Sequence, residues 1–137
     1  ISYNLNTPLG SQLSRQLKAG SDVRLVNSPS EAQAILYILS ERRSRNVVAY
    51  NAYGDAREYE LKLEVSFRLA APDGALYLPD TVIPAVREIS YNEEDYLTRD
   101  TEEALVINEM LSDIVVQMVR RIEKAQPPKQ PEDLTTR

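Results

Sequence analysis

The feature that most constrains this sequence is a strict alternation of apolar and polar side chains from Glu58 to Leu69. The apolar set consists of Tyr59, Leu61, Leu63, Val65, Phe67 and Leu69. A period of two over these residues predicts a β-strand about 40 Å long, at roughly 3.3 Å per residue, with one buried face and one charged face. The buried face needs an apolar layer to cover it.

A long amphipathic helix is predicted to supply this cover. It begins between Asn92 and Thr98 and ends near Lys124, a length of roughly 40 to 48 Å at about 1.5 Å per residue. Acidic residues near its start and basic residues near its end match the helix dipole. Its predicted apolar stripe is Leu97, Ala104, Leu105, Ile107, Leu111, Ile114, Val115, Met118, Val119 and Ile122.

A shorter helix is predicted near the start of the chain. Thr7 is its N-cap, Pro8 is its first helical residue and Gly20 ends it. One face carries Leu9, Leu13 and Leu17. A brief strand is predicted from Val23 to Val26, before a turn at residues 27–30.

Two further segments are predicted to flank the alternating strand. The run from Ala34 to Leu39 is apolar on both faces and becomes polar at Ser40, where the strand should emerge into water or against a partner. Pro72-Asp73-Gly74 predicts a hairpin turn, and the segment Ala75 to Tyr91 contains two prolines that favour an edge strand. The predicted fold class is therefore α+β, with two helices packed on one face of a roughly four-stranded, mainly antiparallel sheet.

The length of 137 residues fits a single domain. We expect that domain to span residues 1–125. Residues 126–137 contain three prolines and few apolar side chains, so a flexible Pro-rich tail is predicted there.

Composition excludes several function classes. The chain has no His, Cys or Trp, so thiol nucleophiles, imidazole-based triads and the usual zinc sites are excluded. No motif indicates a cofactor, and no metal site is predicted. A net charge of -5 argues against nucleic acid as a partner, and no apolar run approaches the ~20 residues that span a bilayer.

Clustered carboxylates leave one enzymatic alternative open. Glu93-Glu94-Asp95 and Glu102-Glu103 could form the acidic site of a carboxylate-dependent hydrolase, with Glu94 and Glu103 as its central residues. The helix dipole explains the same charges without chemistry, and adjacent carboxylates on a helix point apart. We therefore expect a non-enzymatic protein.

A local basic patch offers a binding site in an otherwise acidic chain. Arg42, Arg43 and Arg45 lie in the segment 41–57, whose net charge is +2, and guanidinium groups suit phosphate or carboxylate ligands. The alternative is a solvated strand end. Tyrosines are candidate partner-interface residues because their rings suit half-wet surfaces; these are Tyr50, Tyr53, Tyr91 and Tyr96.

Three segments together resemble the LptE family of lipopolysaccharide-assembly lipoproteins. They are Arg57-Glu58-Tyr59-Glu60-Leu61, the Pro-Asp-Gly turn, and Arg87 to Asn92 leading into an acidic helix with Glu102-Glu103-Ala104-Leu105 and Asn108-Glu109-Met110. The resemblance covers about Thr7 to Ala125. It implies a plug inside the LptD outer-membrane β-barrel that assists assembly of the barrel and contacts lipopolysaccharide, with Arg99 at a position linked to that contact.

The resemblance also implies an outer-membrane location on the periplasmic side. Because the sequence opens at Ile1 without a signal peptide or a lipid-modified Cys, we expect any lipid anchor to lie outside it, and membrane contact to occur only through that anchor. An unrelated periplasmic adaptor domain is a further alternative.

Overall fold

The computed structural model describes residues 7–20, 24–26, 28–90 and 96–125. The elements in chain order are helix α1 (Pro8–Gly20), a 3-10 turn (Pro29–Glu31), strands β1 (Ile35–Tyr50), β2 (Ala56–Ala70) and β3 (Leu76–Ser90), and helix α2 (Tyr96–Lys124). The expected tail at residues 126–137 lies outside the described residues.

The sheet has the order β1-β2-β3, and both strand pairs are antiparallel. β2 is central, and its alternation has the predicted effect: Leu61, Leu63, Val65 and Phe67 are buried while their neighbours are half-exposed. The α+β prediction with two helices is confirmed. Among the described residues the sheet has three strands, and residues 24–26, where a fourth was predicted, have no regular secondary structure.

Both hairpins turn through a glycine with positive φ. The angle is 84° at Gly54 and 95° at Gly74, a region that side chains with a Cβ rarely adopt. No atom lies within 4 Å of a Cβ built at either position, so the backbone angle and not crowding selects glycine. The predicted Pro72-Asp73-Gly74 turn is confirmed, closed by a 2.7 Å hydrogen bond from the Ala71 amide to the Ala75 carbonyl.

The helices cover the buried face of the sheet as expected. α2 packs across β2 and β3, and α1 packs against α2. The predicted cap is present, because Thr7 Oγ1 accepts a hydrogen bond of 3.1 Å from the Gly10 amide. The apolar face of α1 enters the shared core through Leu9, Leu13 and Leu17.

The predicted stripe of α2 is correct in its C-terminal half and needs correction near the start. Leu111, Ile114, Val115, Met118 and Val119 are buried, but Leu105 is 60% exposed. Met110, which was not predicted, is fully buried. The core-facing side of α2 therefore runs through Met110 rather than Leu105.

The outer strands differ in how well the sequence predicted them. β3 is an edge strand, as its prolines indicated. β1 is the other edge: after its apolar part it becomes polar at Ser40, as predicted, and continues as a strand to Tyr50, with residues 42–48 exposed. The arginine cluster consequently lies within a strand and not in a loop at its end.

The polar face of the sheet carries a bidentate ion pair whose contribution to folding stability should depend on pH. Arg68 donates from Nε and Nη2 to the Asp80 carboxylate, at 2.5 and 3.1 Å. These hydrogen bonds and the adjacent positive charge hold the pKa of Asp80 below its ordinary value of 3.8. Because the pKa of Asp80 is lower in the folded protein than in the unfolded chain, the ion pair contributes fully to stability at a pH above the unfolded-state pKa. This contribution is lost as the pH falls through the folded-state pKa.

In Arg68→Gln we expect the pKa of Asp80 to rise towards its ordinary value, because the substitution removes both the charge and the fork of donors. The carboxyl carbon shift of Asp80 in an NMR pH titration measures this. Arg57→Gln is the control, since residue 57 lies about 36 Å away along β2 at 3.3 Å per residue. An unchanged Asp80 titration in Arg68→Gln would contradict the assignment.

Candidate functional site

An open groove of about 200 Å³ lies between the first half of α2 and strands β1 and β2. Leu61, Leu63 and Met110 are buried and form its apolar floor. Its complete lining is Arg43, Ser44, Arg45, Leu61, Lys62, Leu63, Glu103, Ile107 and Met110. The groove thus combines an apolar base with charged side chains at an accessible surface.

Strand register decides which of the predicted arginines share this groove. Arg43 pairs with Leu63 and Arg45 pairs with Leu61, so both lie on the helix side of the sheet. Arg42 pairs with Glu64 and faces the opposite side. The structure brings two of the three arginines together at the groove and separates the third from them.

The guanidinium of Arg45 is held from two directions. Its Cζ lies 5.0 Å from the ring centroid of Tyr59, a cation–π distance. Its Nη1 lies 3.2 Å from Oε2 of Glu103, and the two side chains are 54% and 20% exposed. Arg43, in contrast, makes no ion pair within the part of the chain that the structure describes.

Tyr59 was not predicted as a site residue, and Glu103 was considered only as a carboxylate of the hydrolase alternative, not as a partner of the arginine cluster. Tyr59 was expected to pack on the sheet face, and it does lie against the core. Its contact with Arg45 follows from the register, because Tyr59 is two residues from Leu61, the partner of Arg45. Glu103 is 58 residues from Arg45 in the chain, and no sequence signal links the two.

The predicted interface tyrosines are only partly covered by the structure. Tyr50 ends β1 and is 65% exposed, and Tyr53 lies in the β1–β2 turn and is 87% exposed. Tyr91 lies outside the described residues. Tyr96 is the first residue of α2, and Arg99 is in its first turn, one helical turn before Glu103.

The structure describes one of the two carboxylates central to the hydrolase alternative. Glu103 makes an ion pair with Arg45, and Glu94 lies outside the described residues. Among residues 7–20, 24–26, 28–90 and 96–125, no group of three or more Asp or Glu side chains is placed to hold a metal ion. Within the same ranges, neither helix has the length and apolarity to cross a membrane.

Three solved structures have a similar fold. The uncharacterized lipoprotein B from Nitrosomonas europaea has a TM-score of 0.76 at 24% identity, with 86% of this chain and 76% of that chain covered. For the rare lipoprotein B from Shewanella oneidensis the TM-score is 0.74 at 20% identity, with 86% of each chain covered. A minor lipoprotein from Acinetobacter baumannii gives 0.71 at 23% identity, covering 92% and 90%.

Sequence comparison identifies the family. No curated protein sequence matches the chain. The family model described as "LptE: Lipopolysaccharide-assembly" matches residues 1–122, which include α1, all three strands and α2 as far as Ile122. The resemblance drawn from the alternating strand, the Pro-Asp-Gly turn and the acidic start of α2 is thereby confirmed, and the chain belongs to the LptE lipopolysaccharide-assembly family.

Proposed function

We propose that this protein binds lipopolysaccharide through the groove and acts, without catalysing a reaction, as a plug and assembly partner of the LptD β-barrel. Membership of the family supports a role in lipopolysaccharide assembly. The proposed location is the periplasmic side of the outer membrane. The similar folds of three lipoproteins support an anchored form.

The observation that carries the binding proposal is the pairing of Arg43 and Arg45 with an apolar floor in one groove. An acidic glycolipid presents phosphate groups next to acyl chains, so it needs cations and apolar surface side by side. The net charge of -5 does not prevent binding, because screening over about 8 Å lets nearby arginines outweigh distant carboxylates. Arg99 remains a proposed contact through its family position.

The end of the β1–β2 hairpin is the proposed contact surface for the barrel. Tyr50 and Tyr53 are exposed there, and Val47 and Val48 beside them are 38% and 46% exposed. Clustered aromatic and apolar side chains at an exposed hairpin end are typical of protein contacts. Tyr91 and Tyr96 belong to the same proposal by sequence alone.

Co-expression with LptD tests the barrel partnership. We expect a one-to-one complex that survives mild detergent, and we expect Tyr50→Ser with Tyr53→Ser to reduce its yield several-fold because the variant loses the exposed rings. Tyr77→Ser is unsuitable as a control because that ring packs on the core, so Thr101→Ser, at an exposed position of α2, serves instead. The absence of any complex would overturn the plug proposal and favour a periplasmic adaptor.

A further inference from the structure

The cation best placed in the groove already has a counter-ion within the protein. Arg45 forms an ion pair with Glu103, with 3.2 Å between Nη1 and Oε2. Arg43 makes no ion pair within the described ranges. Because the carboxylate occupies Nη1, an incoming phosphate that forks onto the Nη1–Nη2 edge of Arg45 competes with Glu103 for the same donor and the same positive charge. Ligand binding at that edge of Arg45 is therefore an exchange of one anion for another.

We infer that Glu103 is a specificity-determining residue of the groove, which admits a lipid only if the lipid's anionic group can displace the carboxylate from Arg45. The inference rests on the proposed function, since it assumes that the groove binds an anionic lipid. It adds a residue that the arginine cluster alone did not indicate.

The alternative role for Glu103 is to position Arg45, and the structure argues against it. The ring of Tyr59 holds the same guanidinium at 5.0 Å. Tyr59 packs against the core and lies on the central strand, so Arg45 keeps a support when the carboxylate is removed. Loss of the negative charge should consequently free Arg45 for a ligand without releasing it from the groove.

The exchange selects ligands by the charge of their head group. A phosphate monoester brings up to two negative charges and several acceptor oxygens, so it can replace a carboxylate at a guanidinium. A phosphocholine head group brings its own cation, which is attracted to Glu103 instead. Glu103 thus favours phosphate monoester lipids over zwitterionic phospholipids.

Short-chain lipids below their micellar concentration test this inference on the whole chain. The probes are dihexanoyl phosphatidic acid and dihexanoyl phosphatidylcholine, titrated by calorimetry. We expect Glu103→Gln to bind phosphatidic acid about fivefold more tightly than the parent. This gain corresponds to about 1 kcal/mol, the upper end of what a surface ion pair contributes, because the ligand no longer has to break the pair between Arg45 and Glu103. Glu102→Gln makes the same charge change at the exposed neighbouring position and should leave the affinity within twofold.

The Arg45→Gln background separates direct exchange from general repulsion. There the fivefold gain from Glu103→Gln should vanish, because the carboxylate no longer competes for a guanidinium. An equal gain in both backgrounds, weaker binding by Glu103→Gln, or no binding by any variant would overturn the inference.

Lipopolysaccharide is titrated in parallel. If lipopolysaccharide binds the parent but Glu103→Gln changes the affinity for neither lipopolysaccharide nor phosphatidic acid, the proposed function stands and the inference about Glu103 fails. If Glu103→Gln strengthens the binding of phosphatidic acid as expected but lipopolysaccharide does not bind, the inference stands and the proposed function fails.

Discussion

The Phe67→Ala variant is expected to lose about 3 to 5 kcal/mol of unfolding free energy, the range measured when large aromatic side chains are removed from cores. Phe67 is fully buried on the central strand and pairs with Ile38 on β1 and Thr81 on β3. Its removal leaves a cavity that three strands and the helical layer share. Since small domains are stable by roughly 5 to 15 kcal/mol, this variant should lie close to the limit of folding.

Chemical denaturation followed by far-UV circular dichroism measures the loss, and a fall in Tm of roughly 10 to 20 °C should accompany it. The matched control is Leu105→Ala, because the sequence predicted that leucine as part of the core and the structure leaves it 60% exposed. Its effect should stay within about 0.5 kcal/mol. Comparable losses in the two variants would contradict the described packing of α2.

The elements that the sequence predicted well are those in which one periodicity faces one environment. β2 alternates from Glu58 to Leu69 because one face meets the helices and the other meets solvent. The start of α1 and the turn at Gly74 were predictable for a similar reason, since capping and positive φ are local requirements that few residues satisfy.

The second half of β1 was not predictable from its own pattern. Residues 42–47 are exposed although they pair with β2, so neither face needs apolar residues and no alternation arises. The strand exists there because β2 offers it a hydrogen-bonding edge, which is information about a neighbour and not about the segment itself. Its polar composition reads as a loop when the neighbour is unknown.

The geometry of the candidate site also depends on contacts between separate elements, which the sequence pattern does not show. Sequence analysis found Arg43 and Arg45 as part of a cluster with Arg42, but only the register shows that Arg42 faces the other side. The contact of Arg45 with Glu103 depends on where a helix crosses a sheet, and no sequence period encodes that crossing. The sequence could therefore predict that a basic cluster exists, but not which of its residues lie together or which residue of α2 they contact.

Because Arg43 and Arg45 lie on the helix side of the sheet and Arg42 on the opposite side, charge reversal on the two sides should affect lipopolysaccharide affinity differently. Arg43→Glu combined with Arg45→Glu should weaken lipopolysaccharide binding by about 30-fold or more, since each basic residue near an anionic lipid surface contributes about 1 kcal/mol and two are lost. Arg42→Glu makes the same kind of charge change on the opposite face and should weaken binding less than about threefold. Arg99→Glu, at the position implied by the family, should fall between these limits.

Binding is measured as capture on immobilised lipopolysaccharide over a range of salt concentrations. The double variant should also lose much of the salt dependence, because screening acts on the cations it removes. Far-UV circular dichroism and thermal unfolding must remain near those of the parent, which matters because the Arg45→Glu change places a carboxylate opposite Glu103, across the former 3.2 Å ion pair. Arg43→Glu alone leaves that pair intact and should still weaken binding several-fold. Equal losses in Arg42→Glu and in the double variant would show that lipopolysaccharide responds to the charge of the whole hairpin, and the groove would then have no special role.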